Sequence, residues 1–291
     1  MAQARAEFEE LIKDIRPELH RYAARMVGSV IDGEDVVQEA LAKAYYALAS
    51  LPPESNLRGW LFRITHNKAI DHLRRHYEQS LEQLDEQPMT SAPDVPLEDK
   101  ELTVVALSLF LKLAPKQRSC VILKDVLGYS LAEISELLDA TVPAIKAALH
   151  RGRTRLRELA ESVEVDTPPS LDEPEQALLS RYIDRFNARD FEAVRDLLAD
   201  EVRLDLVGRA EFYGAAEISG NYFYNYKQLD GWHFDLGWIE NQPAILVYTS
   251  PDGSRQPAYF ILIIGNGSHV TRIRDYRYAN YVMQDATISV M

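Results

Sequence analysis

Residues 113–157 read LAPKQRSCVILKDVLGYSLAEISELLDATVPAIKAALHRGRTRLR. The order is a short helix, a turn, a supporting helix, a second tight turn and a basic helix. Leu131, Ile134, Leu137 and Leu138 recur at helical spacing and mark the buried face of the supporting helix. Asp139-Ala140-Thr141 breaks it. Thr141 suits the N-cap of the next helix, Pro143 sits in the first turn where its missing N–H costs little, and Ile145, Ala148 and Leu149 supply an apolar face. Lys146, His150, Arg151 and Arg153 occupy the opposite face, followed by Arg155 and Arg157. A solvated basic face is the plain alternative for any single helix. The turn between two capped helices favours a helix-turn-helix DNA reader.

The chain has 291 residues, enough for two or three domains, and its 46% hydrophobic content is enough to build ordinary cores. A formal net charge of -13 argues against a protein that coats nucleic acid without selectivity, because neutralising phosphate needs positive charge. Residues 1–165 hold 21 Lys and Arg against 26 Asp and Glu, and the remainder 11 against 19, so both halves are acidic. The basic residues of the first half cluster at 58–75 and 146–157. The single Cys120 excludes an intramolecular disulfide, and within Cys120-Val121-Ile122-Leu123 it reads as a core thiol. The polar, acidic start MAQARAEFEE does not resemble a signal peptide. The longest apolar run, 258–264, is far short of the ~20 residues of a membrane helix. A bacterial-type cytoplasm fits these features.

Residues 4–50 are helical in pattern. Phe8, Leu11, Ile12, Ile15 and Leu19 make one stripe, which Tyr22, Ala23, Met26 and Val27 continue beyond Pro17 and Gly28-Ser29 ends. A second helix is expected to begin near Asp32 to Asp35. Its apolar face takes Val36, Val37, Ala40, Leu41, Ala44, Tyr45 and Leu48, while Asp35, Gln38, Glu39 and Lys43 fall on or near the other side, where a solvated face is the simplest reading. Leu51-Pro52-Pro53-Glu54-Ser55-Asn56 is a rigid loop, because two prolines fix the backbone and Asn56 can cap the next helix. That helix is LRGWLFRITHNKAIDHLRRH, 57–76, with Trp60, Leu61, Ile64, Ala69, Ile70 and Leu73 on a core side and Arg58, Arg63, Lys68, Arg74 and Arg75 as cations. Aromatic faces stack on unpaired bases while cations hold phosphates, so the mixture suits strand-separated DNA. Taken alone, Trp60 reads more readily as core.

The helix from Asp35, the proline loop, and Arg58-Gly59-Trp60-Leu61-Phe62-Arg63-Ile64 with Asn67, Asp71, Arg74 and Arg75 together resemble domain 2 of extracytoplasmic-function sigma factors. Residues 113–157 resemble their domain 4. The two blocks stand in the family's order and separation and cover a little over half of the chain. The resemblance implies that Asp35, Gln38, Glu39 and Lys43 dock on core RNA polymerase. It implies that the loop 52–57 holds a flipped base of the −10 promoter element, and that Asn56, Arg58, Trp60, Arg63, Asn67, Asp71, Arg74 and Arg75 meet that single strand. It further implies that Thr141, Pro143, Ala144, Lys146, Ala147, His150, Arg151 and Arg153 lie at the −35 element, with Arg153 a phosphate contact. A common family pattern places Ser-Arg after the lysine where this chain has Ala147-Ala148, which leaves apolar or shape readout there. Residues 77–101, with Pro88, Pro93 and Pro96, read as an acidic tether. The resemblance would thread it through the RNA path of polymerase.

EVDTPPSLDE, 164–173, reads as a second linker. Beyond it, 174–188 and FEAVRDLLAD after Asp190 read as helices, Val202, Leu204 and Leu206 as a strand, and 214–226 as a third helix. Strands are expected at 232–239, 244–249, 256–264 and 269–278, joined by turns at 241–243, 251–254 and 265–268. Helices first and a curved antiparallel sheet later make an α+β unit. This half, especially LLADEVRLDLVGRAEFYGAAEI, resembles the SnoaL-like, nuclear-transport-factor-2-like superfamily, whose cones enclose a pocket. Some members are isomerases or cyclases with a carboxylate base; others only bind. Asp205, Asp230, Asp235 and His233 are the titratable candidates, and a working base would need burial to raise its pKa. Tyr213, Tyr222, Trp232, His233, Trp238 and Tyr259 are the candidate pocket lining, although strand aromatics more often form core.

The expected architecture is therefore multidomain: sigma domain 2 at 1–77, an acidic linker at 78–101, sigma domain 4 at 102–163, a linker at 164–173 and an α+β cone at 174–291. The expected partners are core RNA polymerase and promoter DNA, with an intramolecular contact between the carboxy-terminal domain and the sigma domains and an unidentified small-molecule ligand. No catalytic residue, cofactor, metal or membrane is expected. A helix-turn-helix regulator independent of polymerase and a SnoaL-like enzyme with a tethered DNA module stand as alternatives.

Overall fold

A computed structural model describes residues 2–52, 56–77, 107–160, 170–249 and 256–290. The tether at 78–101, most of the linker at 164–173 and the turn at 251–254 lie outside the described residues. The chain divides into two compact units, Met1–Val165 and Asp166–Met291.

In the first unit, α1 (Ala2–Val27) runs through Pro17 without ending. Ile15, Leu19, Tyr22 and Met26 on its inner face are all buried, so packing holds the helix across the lost hydrogen bond. It stops at Gly28, φ +81°, whose N–H donates to the Ala24 carbonyl. α2 (Val30–Ala47) starts earlier than the expected Asp32, because the Ser29 hydroxyl accepts from the Ile31 and Asp32 amides at 3.2 Å. A Cβ on Gly33 would lie 2.6 Å from the Ala24 backbone, so glycine is what lets α1 and α2 cross closely. α3 (Leu57–Tyr77) is capped by Asn56, whose side-chain oxygen accepts from the Gly59 amide at 3.0 Å.

The second helical group keeps the order read in 113–157. A single turn, α4 (Leu107–Phe110), leads to α5 (Pro115–Val121), which continues as a π turn over Ile122–Val126. α6 (Leu131–Leu138) opens with a reciprocal cap between Ser130 and Glu133 and closes at Asp139, φ +50°. α7 (Val142–Ala160) completes the group. One apolar core, from Phe8 through Leu61 and Phe110 to Leu159, joins both groups.

The second unit begins with α8 (Glu173–Asn187) and α9 (Phe191–Arg195), capped by Asp172 and Asp190. Among the described residues, seven strands form one sheet in the order β2-β1-β6-β5-β4-β3-β7: β1 (Leu198–Leu206), β2 (Ala210–Tyr213), β3 (His233–Ile239), β4 (Gln242–Tyr248), β5 (Tyr259–Gly265), β6 (Val270–Asp275) and β7 (Ile288–Val290). The sheet is mixed, which corrects the antiparallel expectation. β1 and β6 pair in parallel because β6 returns to the centre beside the first strand after a long crossover. The expected helix 214–226 is three short pieces: α10 (Ala215–Ile218), a π turn at Ser219–Phe223 and α11 (Tyr224–Lys227). Glu240 and Asn241, both at positive φ, make the β3–β4 hairpin, so Gln242 and Pro243 belong to the strand. Tyr182, Phe186, Phe223, Phe234 and Ile261 are among the residues of its core.

Candidate nucleic-acid interface and a buried acid

α7 presents one face and buries the other. Thr141, Pro143, Lys146 and Ala147 are exposed, with Ala144, His150, Arg151 and Thr154 half-buried beside them. Ile145, Ala148, Leu149 and Leu156 point inward. Gly152 lets the helix seat against α5, since a Cβ there would lie 2.7 Å from the Val121 side chain. The presented face thus joins Thr141, Pro143, Ala144, Lys146, Ala147, His150 and Arg151. Thr154, absent from the sequence-derived set, completes it, and its spacing from His150 and Arg151 was the available signal.

Arg153 is a correction. It is 4% exposed, and its guanidinium donates to both carboxylate oxygens of Asp125 at 2.9 and 2.7 Å. A bidentate pair at that depth ties α7 to the π turn, and in this arrangement the charge is turned away from any phosphate.

On α3, Arg63, Asn67, Asp71 and Arg74 are all exposed and succeed one another at helical spacing, forming a single polar stripe. The other sequence-derived residues are engaged differently. Asn56 is the cap, Arg58 pairs with Glu18, and Arg75 lies 3.7 Å from Glu39. Trp60 is half-buried against Phe8, the ring centroids 6.4 Å apart.

α2 exposes Glu39 and Lys43, with Asp35 and Gln38 half-buried. Glu39 accepts from Lys68 at 2.9 Å, and that bond holds its carboxyl below the ordinary carboxylate range. Tyr45, expected on the apolar face, is 42% exposed and Tyr46 86%, their rings edge to face. No signal in the helical pattern separated Tyr45 from core aromatics.

A cleft of about 520 Å³ opens within the first unit. Asn56, Arg58, Trp60 and Arg63 line one side; Tyr129, Glu133 and Glu136 line the other. Arg63 donates to the Glu136 carbonyl at 3.3 Å, and the Phe62 and Tyr129 rings meet edge to face at 5.3 Å.

In the second unit, the six candidate pocket residues do not line one cavity. Tyr213 is 55% exposed on β2, His233 is exposed, and Trp238 is buried outside the core cluster that contains Tyr222 and Tyr259. Trp232 donates its indole N–H to the Leu229 carbonyl at 3.0 Å. Phe186 meets Phe234, Tyr226 and Trp232 at centroid distances of 4.4, 5.0 and 5.3 Å, so rings fill the space. The four titratable candidates are also dispersed: Asp205 lies 3.6 Å from Arg274, Asp230 faces Arg189, and His233 pairs with Asp235 at the surface.

The buried acid is Asp275, which the sequence did not mark. It is fully buried; one carboxylate oxygen accepts from the Tyr222 and Tyr226 hydroxyls at 2.8 and 3.2 Å, and the other from the Arg277 amide at 2.8 Å. The Tyr259 hydroxyl lies 2.8 Å from that of Tyr226. Burial pushes the carboxyl up to about 6, opposed by the hydrogen bonds it accepts. Its two tyrosine partners lie 53 and 49 positions away in the chain, so no local pattern announces the site.

The family model for Sigma-70 region 2 matches residues 11–78, and that for Sigma-70, region 4 matches residues 105–156. The chain is similar to the ECF RNA polymerase sigma factor SigG of Mycobacterium tuberculosis, 28% identical over 242 residues, covering 74% of this chain and 65% of the relative. It thus spans under two thirds of SigG. The ECF RNA polymerase sigma factor SigW of Bacillus subtilis is 31% identical over 162 residues, covering 52% of this chain and 87% of the relative. The crystal structure of the extracytoplasmic function sigma factor SigJ of Mycobacterium tuberculosis covers 91% of this chain and 95% of its own, with 19% identity and a TM-score of 0.36.

Proposed function

We propose that this chain, which belongs to the extracytoplasmic-function RNA polymerase sigma factors, directs core RNA polymerase to promoters by opening a −10 element and reading a −35 element. The observation that carries this is the pair of presented surfaces, each within a matched region: the α3 stripe in region 2 and the α7 face in region 4. Arg63, Asn67, Asp71 and Arg74 hold the separated strand; Lys146, Ala147, His150, Arg151 and Thr154 meet the major groove. Asp35, Gln38, Lys43 and the exposed Tyr45 and Tyr46 dock on polymerase, with Glu39 orienting α3 through Lys68. The site of action is the cytoplasm, where core polymerase and DNA meet. Core-dependent transcription from a promoter library tests the reading. A chain that never associates with core, or that binds promoters equally well without it, overturns it.

The second unit acts as a regulator rather than a catalyst, through an intramolecular contact or a small-molecule ligand. Asp275 is the acid best placed for enzymatic work, and its enclosure supports a structural role: both oxygens are engaged and no surface is open to a substrate. Truncation before Glu173 is expected to change transcription output with core. Unchanged output would make the unit a passenger.

A further inference from the structure

Among the described residues of the second unit, Arg274 is buried and Arg277 half-buried, while every other arginine or lysine is exposed. Arg274 has the Asp205 carboxylate 3.6 Å away. Arg277 has no such partner among the described residues. Its backbone amide donates to Asp275, and its guanidinium lies over the Tyr226 ring, 5.6 Å from the centroid. Asp275 is satisfied without that guanidinium, since its other oxygen takes the Tyr222 and Tyr226 hydroxyls. A guanidinium that gives up part of its water while its N–H groups meet no protein acceptor is a costly arrangement, and an oxyanion relieves it.

A second guanidinium stands close by. The Arg209 amide closes a turn on the Leu206 carbonyl at 2.8 Å, and the Val207 amide ties that turn to the end of β6 by donating to the Asp275 carbonyl at 3.0 Å. Arg209 is thereby carried over the ring of Tyr278, 4.4 Å from its centroid, and Tyr278 directly follows Arg277. Among the described residues Arg209 likewise has no carboxylate partner. Residues 166–291 hold 19 Asp and Glu against 11 Lys and Arg, so the missing partners reflect placement rather than a shortage of carboxylates.

We propose that Arg277 and Arg209 form an oxyanion-binding site beside Tyr278 at the end of β6, and that a small carboxylate- or phosphate-bearing molecule held there is the ligand through which the second unit regulates. The regulatory half rests on the function proposed above. Arg277 supplies a planar fork that meets two oxygens at once, and Arg209 adds a second charge from the neighbouring turn. Tyr278, 46% exposed, offers a flat ring against which the carbon body of the ligand rests.

The test uses the full chain, titrated calorimetrically with sodium benzoate and with sodium phosphate against sodium chloride at equal ionic strength. At least one of the two oxyanions is expected to bind with a Kd below about 1 mM, and the tighter one names the head group. Arg277→Lys keeps the charge but loses the fork, and is expected to weaken that binding about tenfold. Arg209→Gln should weaken it too, and its surface position keeps the test open should Arg277→Lys fail to fold by circular dichroism. Arg272→Gln, which removes an exposed cation of β6, should change nothing. No binding beyond that of chloride overturns the proposal, as does binding that Arg209→Gln and folded Arg277→Lys leave intact, or that Arg272→Gln weakens equally. In transcription with core polymerase, the tighter anion should change the output of the wild-type chain and not that of Arg277→Lys. Binding without that change keeps the site and overturns the regulatory role alone.

Discussion

Arg153 and Lys146 lie two turns apart on α7 and carry the same charge, yet their surroundings give them different work. Lys146 is exposed; Arg153 is enclosed with Asp125. Lys146→Ala should lower the slope of log affinity against log salt by about one for promoter binding by the holoenzyme, as loss of one phosphate contact does. Arg153→Ala should instead destabilise the first unit by about 3–5 kcal/mol, because it strands a buried carboxylate, and Asp125→Leu with Arg153→Met should recover most of that loss in urea unfolding. Sequence spacing could not separate the two residues, since the depth of Arg153 is set by Asp125, 28 positions away. Asp275 was hidden for the same reason. Its folded pKa of about 6 lies above the ordinary 3.8, so the native state holds the proton more tightly than the unfolded chain. That contribution is fully present below pH 4 and is lost as pH rises through 6. The stability difference between wild type and Asp275→Asn should therefore shift by up to about 3 kcal/mol across this window, read by tryptophan fluorescence during denaturation. A flat difference would remove the assignment.

At the scale of elements, the helices were the legible part. Their apolar spacing and their caps, Asn56, Thr141 and Asp190, lie within a few residues of what they control. The strands β2 and β7 were not legible, being four and three residues long and defined by pairing with distant partners. The π turn at Ser219–Phe223 was missed because it preserves helical composition while shifting the faces on either side. Close approach is likewise visible only in three dimensions. Gly152→Ala gains up to about 1 kcal/mol in helix propensity, but the new methyl meets Val121 at 2.7 Å and the Gln117 carbonyl at 3.3 Å. The net effect on thermal unfolding should be destabilising. Adding Val121→Ala should restore part of the lost stability by making room.

For the whole molecule, each unit has its own apolar core. A chain ending at Val165 should therefore fold cooperatively and still associate with core polymerase, while its transcription output departs from that of the full chain. Calorimetry of the truncated chain against the full one checks the first part, and a chain without a cooperative transition would show the units to be interdependent. Among the described residues, no helix is long and apolar enough to cross a membrane. The division into helical and α+β halves was legible from hydrophobic periodicity alone. The joining of both helical groups in one core was not, because the charged tether between them reads the same whether the groups dock or part.

Cys120 is completely buried in α5, beside Ser119, and burial pushes its thiol up to about 11, against the weaker pull of Lys116 and Arg151. A thiol that is both shielded and protonated does not react at neutral pH. The chain thus carries a native stopwatch. Alkylation of its lone thiol should be slow in the folded protein, and the ratio of that rate to the rate in the unfolded chain gives the fraction of molecules in which the core is open, without any added label.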